Sequence, residues 1–89
     1  MITPSFVWNE DANGWLSDDM LLSGPAVVTI TLSRLAPVVT QKQADDGEWE
    51  TFACTPDESD TYRITLNPTH EMIVRLASPV AVKACEVFV

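Results

Sequence analysis

Histidine is almost missing from this chain. His70 stands alone, so an imidazole base or a histidine-ligated metal has one candidate, in a turn beside Pro68 and Glu71. Glycine is scarce as well. Gly14, Gly24 and Gly47 are isolated and none opens a strand-to-helix turn, which argues against a phosphate-cradling loop. The longest apolar runs, Ala26 to Leu32 and Val80 to Ala84, fall far short of the ~20 residues a spanning helix needs. Basic residues are few: five against thirteen acidic ones give a net charge of -8, which repels phosphate backbones and anionic headgroups. Neither nucleic acid nor membrane is therefore an expected partner. Cys54 and Cys85 lack the spacing and company of a zinc site, and two readings stay open for them, buried thiols or a cross-strand disulfide. Ser59 and Thr61 have no base at a suggestive spacing, so neither catalysis nor a cofactor is expected. The start, Met1-Ile2-Thr3-Pro4-Ser5-Phe6, has no basic cluster followed by an apolar run, and folding in a cytoplasm is the expectation.

What is present is strand and turn. Val28, Ile30 and Leu32 alternate with Val27, Thr29 and Thr31 in a β-branched run that Gly24-Pro25 introduces. A hairpin is expected over Val38 to Ala53, turning at Asp45-Asp46-Gly47. Tyr62, Ile64 and Leu66 alternate with Thr61, Arg63 and Thr65, and Asn67-Pro68-Thr69-His70 leads to Met72, Val74 and Leu76, which reads as a second hairpin. After Ser78-Pro79 comes a last strand, Val80 to Val89, expected to be buried on both sides near its end. Before residue 25 the pattern is less regular: Phe6-Val7-Trp8 suits a short strand, and Ser17-Asp18-Asp19 suits either a strand or the cap of a helical turn. Turn signals roughly every ten residues imply an all-β fold, a small antiparallel sandwich or a Greek-key or jelly-roll-like barrel of about 6–8 strands. The division expected is an N-terminal arm over residues 1–25 and a β domain over residues 26–89.

Two acidic clusters, Asp45, Asp46 and Glu48 and then Asp57, Glu58 and Asp60, supply oxygens of the kind calcium prefers, but neither follows the EF-hand spacing. Solvated loops that discourage strand-edge pairing are the more economical reading, and no metal is expected. Trp49, between two glutamates in a strand, is expected in the core with Val28, Ile30, Leu32, Ile64 and Val74. Phe6, Trp8, Trp15 and Leu21, in the irregular N-terminal stretch, are the candidate contacts with a partner.

The run Val27 to Leu32, then Val38 to Gln43, then Asp45-Asp46-Gly47-Glu48-Trp49-Glu50-Thr51, followed by Tyr62-Arg63-Ile64 and Met72-Ile73-Val74-Arg75-Leu76, resembles small bacteriophage virion proteins. The resemblance covers roughly residues 26 to 86 and leaves the first 25 unmatched. It implies a structural protein of a virion, in a decoration, cement, head-fibre, neck or tail role. It also implies many copies, a homo-oligomer with a trimer favoured, contacts with other virion proteins and no catalysis. A calcium-assisted module for carbohydrate or a host ligand, with Trp15, Trp49 or Tyr62 as a stacking platform, is the alternative.

Overall fold

The computed structural model describes residues 1–89 and contains nine strands and no helix. In chain order these are β1 (Phe6–Asn9), β2 (Gly14–Ser17), β3 (Met20–Leu22), β4 (Ala26–Leu32), β5 (Val39–Gln43), β6 (Trp49–Cys54), β7 (Thr61–Leu66), β8 (Met72–Ser78) and β9 (Val82–Phe88). They form two antiparallel sheets. The larger has the order β1-β2-β8-β5-β6, with β3 also paired to β8; the smaller has the order β7-β4-β9. The fold is thus a small β-sandwich, one strand richer than the expected upper count.

Alternation builds the layer between the sheets. From the smaller sheet Val28, Ile30, Leu32, Leu66, Cys85 and Val87 turn inward, and from the larger sheet Met20, Leu22, Met72, Val74 and Leu76 meet them. Ile64 packs against this cluster half-buried. Trp49 does not join it: on the edge strand β6 it lies on the opposite face of the sheet, where Arg75 stacks over its ring. Alternation assigned Trp49 a face but could not say which face looks inward.

The N-terminal residues are not an arm. Ile2 exchanges two backbone hydrogen bonds with Val87 at the β9 edge, and β1, β2 and β3 are strands of the larger sheet. β2 and β3 run along the same side of β8, separated by Asp18-Asp19. That break leaves the Leu76 amide without a strand partner, and the Ser17 hydroxyl accepts its hydrogen bond at 2.8 Å. A second strut is Tyr62. Its hydroxyl accepts from the Ser59 amide at 3.1 Å and donates to the Ala36 carbonyl at 2.8 Å, tying the β6–β7 loop to the β4–β5 connection.

The β5–β6 hairpin forms as expected. The Gly47 amide bonds to the Ala44 carbonyl, and Gly47 takes φ 88°, the left-handed conformation that follows a type I turn in a three-residue hairpin loop. The second expected hairpin does not form: β7 pairs with β4, β8 pairs with β5, and the segment between them crosses from one sheet to the other. Both strands present an apolar face to the core, so their alternation is the same whether they pair or oppose one another. The last strand also differs from expectation. A bulge at Lys83 turns both Val82 and Cys85 toward the inner side, whereas Phe88 and Val89 are exposed. The cysteines are both free, Cys54 exposed on β6 and Cys85 buried on β9.

Candidate interaction face

The outer face of the larger sheet is the most unusual surface of the molecule, and cross-strand register defines it. Directly paired residues share a face. Val7 pairs with Leu16, Leu16 with Ala77, Ala77 with Val39, and Val39 with Cys54. These five residues form one row across β1, β2, β8, β5 and β6, on the side away from Leu76 and Val74. A second apolar pair, Leu21 with Ile73, stands on the same face toward the other end of β8. Between the two lie Arg75, Gln41 and Thr51, also in register.

Charge is nearly absent there. Among thirteen acidic residues, none occupies an outward strand position of this sheet, and Arg75 is its one charged side chain. Arg75 is held in place: its guanidinium carbon lies 4.0 Å from the Trp49 ring centre and its Nε donates to Gln41 Oε1 at 2.7 Å. Partial burial lowers the Arg75 pKa, and the Asp19 carboxylate at the β2–β3 break pulls it the other way. The smaller sheet makes the contrast. Its outer face carries Thr29, Thr31, Thr61 and Thr65 with Arg63 and Glu86, and its apolar residues are the Val27–Phe88 pair at one end and Ala84.

Relief complements composition. A recess of about 150 Å³ opens where Leu16, Val39 and Ala77 meet the β1–β2 turn and Pro79. Gly14 stands at its back, where a Cβ would sit 2.9 Å from the Ser78 carbonyl oxygen. Leu21, 61% exposed, and Ile73 project at the opposite end of the face. A larger hollow of about 400 Å³ lies beside Leu21, between Ile2, Pro25 and Val89. Neither hollow gathers the converging charged groups that orient a small polar ligand.

The expected contact residues divide between the two faces. Leu21 belongs to the outer one. Phe6 packs against the protein's own core, and Trp8 and Trp15, paired across β1 and β2, lie on the inward side where the wider sheet overhangs the narrower. Their rings meet edge to face at 5.9 Å and 73°, leaving Trp8 half exposed. Beside them runs the free edge of β1, with no charge, proline or bulge along Phe6–Asn9. Val7, Leu16, Val39, Ile73 and Ala77 were not among the expected residues. A signal for part of them is present in the sequence: in Met72 to Ser78 the second phase of the alternation reads Ile73, Arg75, Ala77, apolar on either side of one arginine.

The other expected sites stay dispersed. No three His, Cys, Asp or Glu side chains gather into a metal-binding group. The Asp46 carboxylate accepts from the Glu48 amide within its own turn, and His70 meets only the Thr69 hydroxyl, at 3.2 Å. No family model, curated protein or solved structure matches the chain.

Proposed function

We propose that this protein is a structural component of a bacteriophage virion, a decoration, cement or fibre-associated protein that acts by protein–protein assembly. The observation that supports the reading is the outer face of the larger sheet: five strands wide, without a carboxylate in its strand positions, and carrying a stacked Arg75–Trp49 pair. Depletion of charge around an arginine and a tryptophan is the composition of an interface centre, whereas solvated sheet faces carry mixed charge and threonine, as the smaller sheet does. The resemblance over residues 26 to 86 supplies the virion setting. Trp8, half exposed beside the free β1 edge, adds a second contact region on the side of that strand opposite Val7.

Quantitative mass spectrometry of purified particles tests the reading. A virion component is expected in fixed, multiple copies per particle, and a Trp8→Ala variant is expected to fold normally yet load to a lower copy number. Absence from washed particles would remove the virion assignment. The calcium-assisted ligand module is the competing proposal, for which the grouping of acidic side chains offers no support; glycan binding abolished by a chelator would revive it.

A further inference from the structure

We propose that the outer face of the larger sheet binds a second copy of this chain, face to face about a two-fold axis, with the Leu21–Ile73 end of each copy seated over the recess of the other. The proposal rests on the assembly reading and names the partner of that face.

Charge selects the partner. A protein of net charge -8 that bound a basic partner would gain by placing carboxylates on its contact face. This face does the reverse, holding carboxylates off every strand position, and that arrangement serves a partner which is itself acidic. Two copies that meet through this side oppose no carboxylate from a strand position; the carboxylates nearest the axis, at the Asp18-Asp19 break, lie beside Arg75. The one cation is already compensated, since Arg75 is drawn off the centre over Trp49 and lies in the field of Asp19.

Shape selects the orientation. An in-plane two-fold axis running across the strands lays β8 over its counterpart with direction reversed. Ile73 of one copy then lies over Ala77 of the other, and Leu21 over Leu16. Both meetings match a projecting side chain with the recessed end of the face, where the cavity of about 150 Å³ opens. Symmetry follows from the same facts: a single face that meets itself closes as a pair, not as the trimer implied by the virion resemblance.

Area sets the strength. Five strands ~4.8 Å apart and about six residues at ~3.3 Å give roughly 500 Å² of plane per copy, or roughly 1,000 Å² for the pair. That is the lower limit for a specific interface, so the dimer is reversible rather than obligate.

Sedimentation velocity of the purified chain from about 10 μM to about 1 mM tests this. The wild-type protein is expected to pass from monomer to dimer and to associate more tightly as salt is raised, because screening relieves the repulsion between two acidic copies. Leu21→Asp, at a largely exposed position, is expected to weaken association by at least about tenfold with unchanged circular dichroism. Thr65→Asp, on the outer face of the smaller sheet, is expected to dimerise as wild type does. A monomer at every concentration, or a dimer indifferent to Leu21→Asp, would overturn the proposal. If the protein stays monomeric yet Leu21→Asp abolishes loading onto particles, the face binds another virion protein and the assembly reading survives alone. A dimer lost in Val7→Pro but kept in Leu21→Asp would instead mean edge-to-edge pairing through β1.

Discussion

Thr40 is a buried threonine whose hydroxyl has no hydrogen-bond partner, between Leu76 and Ala53 in the middle of the larger sheet. An unmet buried hydroxyl costs about 1–3 kcal/mol relative to a well-solvated one, while valine fills the same volume without that cost. Thr40→Val is expected to raise unfolding stability by about 1 kcal/mol, read from the urea midpoint at unchanged slope. Cys85 gives a second residue-scale expectation. Burial pushes its thiol from the usual 9 up to about 11, with the neighbouring Glu86 carboxylate adding to the rise. The unfolded chain therefore begins to release this proton near pH 9, while the folded chain holds it to about 11. Stability is unaffected below pH 9 and falls between pH 9 and 11, by about 2 kcal/mol from this group. Cys85→Ala is expected to start from lower stability at neutral pH and to show a correspondingly shallower decline, measured by thermal unfolding across that range.

At the scale of the element, the β5–β6 hairpin depends on its turn. Gly47 occupies φ 88° with open space around it, so a side chain there meets backbone strain and no neighbour. Gly47→Ala is expected to cost about 1 kcal/mol. Gly24, equally uncrowded but without a positive φ, should tolerate alanine with no loss or a small gain. Chemical denaturation of the two variants separates conformation from packing. The same contrast explains what was legible in the sequence. Asp45-Asp46-Gly47 named its turn because local chemistry determines it, and Val28, Ile30 and Leu32 named their strand because every second residue is buried. The partner of β7 was not legible. Tyr62, Ile64 and Leu66 carry the inward phase, but pairing across a sandwich is settled by packing among strands distant in sequence. β2 and β3 were obscured by the Asp18-Asp19 break, which is tolerated because the Ser17 hydroxyl bonds to the Leu76 amide, a contact spanning 59 residues.

For the whole molecule, the two outer faces differ in composition, and neither could be assigned before the strand order was known. Leu21 was legible as an exposed apolar residue. Its neighbours were not: Val7, Leu16, Ala77, Val39 and Cys54 come from five strands and become one row only through register. Trp8 and Trp15, the more conspicuous residues in the sequence, turn to the inward side and satisfy much of each other's surface. The division between faces also gives solubility its place. Acidic loops at Asp45 to Glu48 and Asp57 to Asp60 surround the sandwich with charge and leave one side free for contact. On the proposed virion role, a carboxylate introduced at the recessed end of that side, as in Ala77→Asp, is expected to abolish loading onto particles, whereas Thr61→Asp on the opposite sheet is expected to leave copy number unchanged.

Cys54 offers the most direct view of the face in use, since it ends the apolar row and is exposed, while Cys85 is buried and serves as an internal reference. The rate of thiol alkylation at each cysteine would be measured in dilute protein and in the assembled form. Contact through the outer face of the larger sheet requires Cys54 to react readily when dilute and to become protected on assembly, with Cys85 slow in both. Equal reactivity of Cys54 in the two states would contradict it and place the contact surface elsewhere on the molecule.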